Sequence, residues 1–98
     1  MNGACRVLYD TGKLMVRGDS TLDLGAAGFA TKYALHKVLN GRSDRVTVSY
    51  RSEPWRGIVV AAPERSLAVM EQVALTVVAM LEKHGVPARC EQRAFDFV

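Results

Sequence analysis

RVTVSYRSEPWRGIVVAAP, residues 45–63, carries the pattern on which the fold turns. Val46, Val48 and Tyr50 fall on one side of a period of two, and Arg45, Thr47, Ser49 and Arg51 fall on the other. Strict alternation predicts a half-buried strand over 45–51. SEPW, 52–55, holds a proline and small polar residues and reads as a turn. RGIVVAA, 56–62, is apolar almost throughout and predicts a returning, central strand. Pro63 then suits a first helical position, where its missing N–H costs nothing. The predicted helix runs to about residue 84, with Leu67, Met70, Val73, Ala74, Val77 and Leu81 as its core stripe. Val69, Leu75, Val78 and Met80 widen that stripe beyond one face. His84-Gly85 closes the helix, Pro87 prevents its return, and a last strand follows over 88–97 with Phe95 and Phe97 on one side.

Working toward the N-terminus, CRVLYD (5–10) and KLMVR (13–17) flank Thr11-Gly12 and predict a tight hairpin. One irregular strand bulged at Gly12 is the competing reading. Arg17-Gly18-Asp19-Ser20 resembles the integrin-binding tetrapeptide of secreted adhesion proteins, but helix initiation accounts for all four residues. Ser20, followed by Asp23 and by Leu22, Ala26, Phe29, Tyr33, Leu35, Val38 and Leu39 at helical spacing, predicts a helix that ends at Asn40-Gly41. The element order is therefore ββαββαβ. Two right-handed β-α-β crossings joined by a hairpin define a ferredoxin-like two-layer α/β sandwich of the α+β class, a mixed sheet with two helices on one face. The first strand of the plain order is central, so its hairpin partner either displaces the last strand or stacks elsewhere; both placements stay open.

Ninety-eight residues, 49% hydrophobic and 23% charged, describe a single domain over 1–98. No repeat and no Pro-, Ser- or Gly-rich linker divides it. The N-terminal residues have neither the charged start nor the apolar run of a secretory signal, and the apolar stretch 67–81 is interrupted by Glu71 and Gln72. The expectation is a soluble, cytoplasmic protein. Cys5 and Cys90, 85 positions apart, form neither a CxxC motif nor a metal-ligand spacing, and are expected as reduced thiols. The net charge of +3 and pI near 9.1 permit an acidic partner. The excess lies in the first two-thirds of the chain: residues 1–41 hold five Lys/Arg against three Asp, and residues 42–65 hold five Arg against three acids.

Three features suggest binding. RGIVVAA resembles the start of the RNP1 motif of RNA-recognition domains, a basic residue followed by Gly and alternating outward positions. That resemblance implies base stacking at the third and fifth positions, here Ile58 and Val60, with Tyr9 as a second platform. Because neither Ile58 nor Val60 is aromatic, a protein partner ranks above nucleic acid. Secondly, a helix-free sheet face displaying Arg6, Arg17, Arg45 and Arg51 could hold phosphates in a salt-sensitive way. Thirdly, Arg42, Arg45, Arg51 and Arg56 cluster in sequence around Trp55 at a hairpin tip, and Trp and Arg are the types enriched at interface hot spots. Trp55 is either folded back as a lid or presented to a partner.

Signals for catalysis are poor. His36 lies mid-helix, His84 at a helix C-terminus, and no H-x-x-x-H, G-x-S-x-G or P-loop pattern is present. No metal or cofactor is expected. The reading is a small non-enzymatic interaction module that binds a macromolecular partner, a protein before a nucleic acid, through Arg42, Arg45, Arg51, Trp55 and Arg56 and the open sheet face. A stoichiometric inhibitor or regulator, such as a phage-encoded anti-defence protein of the anti-CRISPR type, is a module of this kind. The alternatives are a single-stranded nucleic-acid binder using Arg6, Arg17, Arg45 and Arg51, and a homo-oligomer, for instance a dimer through the second helix, with a small-molecule or enzymatic site at the subunit boundary.

Overall fold

A computed structural model describes residues 5–42 and 44–95. The chain begins with the hairpin β1 (Cys5–Asp10) and β2 (Lys13–Gly18), closed by a two-residue turn in which Gly12 takes φ +68°. α1 (Leu24–Val38) leads to β3 (Thr47–Arg51) and β4 (Arg56–Ala61), and α2 (Leu67–Lys83) leads to β5 (Ala88–Gln92). The sheet order is β3-β4-β2-β1-β5. β5 pairs in parallel with β1, and every other neighbouring pair is antiparallel. The architecture is the ferredoxin-like α+β sandwich, and the question of the extra strand is settled: β1 is inserted between β2 and β5, so the last strand is displaced to an edge.

The main core lies between the helices and one sheet face. Val7 and Tyr9 of β1, Leu14 and Val16 of β2, and Ile58 and Val60 of β4 pack there against Met70, Val73, Val77 and Leu81. From α1 the contribution is mainly small residues, Ala27, Ala30 and Ala34, together with Leu35. The short alanine side chains let the helix lie close to α2 and β4. Thr31 is fully buried on the same side, and its hydroxyl is satisfied by donating to the Ala27 carbonyl at 2.8 Å.

Both helices start later than the sequence pattern predicts. Asp19 is engaged in a local turn, accepting from the Thr21 N–H at 2.8 Å and from the Thr21 hydroxyl, and Asp23 caps α1 by accepting from the Ala26 N–H at 3.1 Å. Ser20 is therefore a turn residue and not the cap. Likewise Ser66, not Pro63, opens α2, accepting from the Val69 N–H at 3.3 Å, while Glu64 holds φ +73° in the preceding turn. The last strand stops at Gln92 and not near residue 97: Phe95 lies beyond it, and Phe97 falls outside the described residues. The strand predicted over 45–51 begins two residues late, because Arg45 takes φ +65°, incompatible with an extended backbone.

Candidate functional site

No helix residue belongs to the small cluster on the other face of the sheet. Leu8 of β1, Met15 of β2 and Val59 of β4 stand side by side there by register, and Trp55 folds back from the β3–β4 turn to cover them. Phe95 reaches the same cluster from beyond β5. The Lys13 ammonium donates to the Phe95 carbonyl at 3.0 Å and stands 5.9 Å from its ring centroid. Trp55 is thus a lid, 9% exposed, and not a presented tip.

Two guanidinium groups stack on that lid. The Arg51 and Arg17 carbons sit 5.0 and 5.4 Å from the Trp55 ring centroid, and both residues belong to strands flanking β4. β4 contributes Gly57 between them. A Cβ there would run into the Val16 carbonyl and meet the Trp55 ring at 2.8 Å, so only glycine lets the indole lie flat on the sheet. One nitrogen of Arg51 is buried without a hydrogen-bond partner among the described residues, and the arginine is held by the ring instead.

Around this centre the charged outward residues of the strands are mostly cationic. Arg6, Lys13, Arg17, Arg51 and Arg89 share the face with two carboxylates, Asp10 and Glu91. Arg6 donates to Glu91 at 2.7 Å, and this hydrogen bond holds the Glu91 carboxyl below the usual glutamate range against the opposing effect of partial desolvation. Between residues 17–20 and residues 52–56 a cleft of about 350 Å³ opens beside Trp55.

Several residues singled out from sequence belong elsewhere. Arg42 and Arg45 lie at the opposite end of β3 from Trp55, because Thr47 pairs with Ala61 and Arg51 with Gly57. Arg45 reaches Glu64 at 3.4 Å, and the Arg42 carbonyl accepts from Arg65 at 2.7 Å. Neither joins the sheet face, so the five-residue cluster around Trp55 divides in two. Arg56 is tied inward, its Nε donating to the Leu22 carbonyl at 2.7 Å, which anchors β4 to the loop before α1. Ile58 and Val60, the positions where an RNP1 motif would stack bases, face the helices and are fully buried. Leu8, Met15, Val59 and Arg89 were not singled out from sequence; the hairpin register, pairing Leu8 with Met15, is the signal that would have found the first two.

Other reactive groups are quiet. Burial pushes the Cys5 thiol up to about 11, and the Cys90 thiol is also raised, by burial first and by Glu71 second. Tyr9 donates to Glu71 at 2.9 Å, which raises its pKa. Among the described residues no group of three His, Cys, Asp or Glu could hold a metal ion, and no helix is long and apolar enough to cross a membrane. Of the apolar excess on α2, Val69, Val78 and Met80 pack against the core, and Leu75 is exposed.

The fold and this face define a two-layer ferredoxin-like domain with one helix-free, arginine-rich side. No protein-family model and no curated protein matches the sequence. Among solved structures, the chain is similar to the essential ribosomal processing protease Prp from S. aureus, in complex with a covalently linked product peptide. The TM-score is 0.50 at 8% identity, over 92% of this chain and 98% of that one. At that identity the likeness is one of fold.

Proposed function

We propose that the chain is a small non-enzymatic interaction module, acting as a stoichiometric regulator or inhibitor, that binds an acidic surface of a protein partner on the helix-free face of its sheet. The observation that carries this reading is the make-up of that face. An indole stacked by Arg17 and Arg51 covers Leu8, Met15 and Val59, with Arg6, Lys13 and Arg89 around it. Arginine is among the residue types enriched at interface hot spots, and the buried indole holds Arg17 and Arg51 in place for such contacts. The surrounding cations would steer an acidic partner and speed its association. The Prp protease of like fold holds a product peptide, which lends weight to a polypeptide partner.

Covalent attachment of a peptide needs an activated nucleophile. The Cys5 thiol is 1% exposed with a pKa near 11, and Cys90 is shifted in the same direction, so neither supplies a thiolate at neutral pH. This supports a non-covalent mode. Two free thiols also suit a reducing cytoplasm, where we place its action.

The test is affinity capture from the native host with the wild-type chain and with Arg17→Glu/Arg89→Glu, both exposed positions. An acidic protein captured by the wild type at 50 mM salt, weakened at 300 mM and lost from the charge-reversed variant is the expected result. Equal capture by both proteins, or capture that ribonuclease abolishes, removes this reading.

A further inference from the structure

β3 is the outermost strand, paired with β4 on one side and, among the described residues, with no strand on the other. Alternate N–H and C=O groups of Thr47–Arg51 therefore point away from the sheet, a template for another strand. Such edges are usually blocked by lysine, proline or a bulge. This one, TVSYR, has none of these, and its threonine, valine and tyrosine favour extended backbone. Its one charged residue, Arg51, is stacked on Trp55 on the far face of the sheet. The opposite edge, β5, is guarded by Arg89 and Glu91.

Beside the open edge lies a groove of about 210 Å³ between β3 and α1. Leu35, Val46 and Val48 make it apolar, and Lys32 and His36 complete the lining. Tyr50 extends the surface along the strand, 48% exposed, with the Lys32 ammonium 5.5 Å from its ring centroid. Its ring lies against α1 at Gly28, where a side chain would collide with it. Among the described residues no carboxylate lines the groove, and α1 carries none after its cap Asp23. On the reverse side of the same strand stands Arg51.

We propose that this edge and groove bind an extended acidic segment of a polypeptide, which adds to the sheet as a sixth strand. Main-chain hydrogen bonds to β3 supply the register. Alternate apolar side chains enter the α1–β3 groove, and the intervening carboxylates meet Arg51 on the reverse side, with Lys32 at the rim selecting against basic segments. The inference rests on the strand's edge and its helix side, and shares only Arg51 with the reading of the sheet face.

A random decapeptide library displayed on phage and panned on the full chain tests it. The enriched peptides are expected to alternate apolar residues with Asp or Glu. A labelled representative should slow amide exchange in Thr47–Arg51 and bind about tenfold more weakly to Lys32→Glu, an exposed change that leaves the fold intact, and to Val48→Glu, while Arg89→Glu binds it unchanged. The proposal is overturned if no peptide is enriched, if the enriched peptides lack acidic residues, or if Lys32→Glu binds them equally well. It is also overturned if protection appears on β5 or on the face around Trp55. Protection of the β3 amides without peptide at high protein concentration would assign the edge to a second copy of the chain, and displacement of the peptide by single-stranded RNA would assign the groove to nucleic acid; either result overturns it.

Discussion

Trp55→Ala separates a lid from a displayed anchor. Trp55 keeps 9% of its surface exposed while covering Leu8, Met15 and Val59. An aromatic side chain of this class buries about 150–250 Å², worth roughly 4–6 kcal/mol at about 25 cal/mol per Å². Truncation of such a residue in a core costs about 3–5 kcal/mol. The cluster beneath it has few members and a solvent-facing side into which Phe95 can relax, so the loss should fall at the lower end, about 3 kcal/mol. For a domain of this size that is a drop of about 12–24 °C in Tm. Urea titration followed by far-ultraviolet circular dichroism measures the loss, and Trp55→Phe should recover about half of it. Because Trp55 is the single tryptophan, native fluorescence gives an independent reading. Its emission should be blue-shifted and slowly quenched by acrylamide, moving to the red on unfolding. A loss under about 1 kcal/mol together with water-like native emission would refute the mini-core and return Trp55 to the role of an exposed anchor.

Gly57→Ala and Gly28→Ala should differ sharply, although both glycines are in close contact. At Gly57 the obstacle is the Val16 backbone, which cannot move without breaking the β2–β4 pairing, so the cost is about 2–3 kcal/mol in denaturant unfolding. At Gly28 the obstacle is the half-exposed ring of Tyr50, which can swing away, and the gain in helix propensity of about 1 kcal/mol leaves the net change within about 1 kcal/mol of zero. Cys5 makes stability fall in alkali. Its folded pKa, about 11, lies above the ordinary 9.0, so its contribution is complete below pH 9 and is lost as pH rises toward 11, about 2–3 kcal/mol in all. Urea midpoints at pH 8 and pH 10.5 should fall less steeply in Cys5→Ala than in the wild type, and equal slopes would show that the thiol is not the sensitive group. In Arg6→Ala, the Glu91 carboxyl should titrate at higher pH by carbon-detected NMR than in the wild type, since the Arg6 hydrogen bond is the main cause of its lowered pKa. No movement would mean that the pair does not persist in solution.

Much of the fold was legible because period and punctuation agreed. The alternation around Val48 and the apolar run of β4 each had one structural solution, the glycine at residue 12 favoured a hairpin over a bulged strand, and together they fixed the ββαββαβ order. Helix starts were less legible because several residues nearby could serve as caps. Asp19, Ser20 and Asp23 all carry an acceptor, and the choice fell to Asp23 once Asp19 had closed its own turn with Thr21. The orientation of α1 misled for a different reason. Counting large apolar residues places Phe29 and Tyr33 inside, yet they are 57% and 39% exposed, stacked on each other at 6.3 Å. The buried stripe is mostly small, Ala27, Gly28, Ala30, Thr31 and Ala34 with Leu35 beside them, because a helix wedged against α2 and β4 needs thin side chains at most of the contact.

The candidate site was legible by composition and not by place. Residues 42–56 are dense in arginine, and one-dimensional proximity suggested a single basic tip. A five-residue strand is about 17 Å long, however, so residues before and after β3 end up at opposite ends of the sheet. What brings cations together is lateral register: Arg17 and Arg51 are 34 positions apart, but each is the partner of Gly57, from either side. The site therefore exists because a strand without a side chain at one position lets an indole lie down between two arginine-bearing neighbours. That condition is written in three separated parts of the chain and becomes visible only when the strand order is known. The same order leaves β3 on the outside, giving one short strand two unlike surfaces: Arg51 joins the stacked indole on one side, and Val48 lines the groove beside Lys32 on the other. Changes at Arg89 and at Lys32 act on these two surfaces separately, so partners using one or the other can be told apart with exposed substitutions that leave the core untouched.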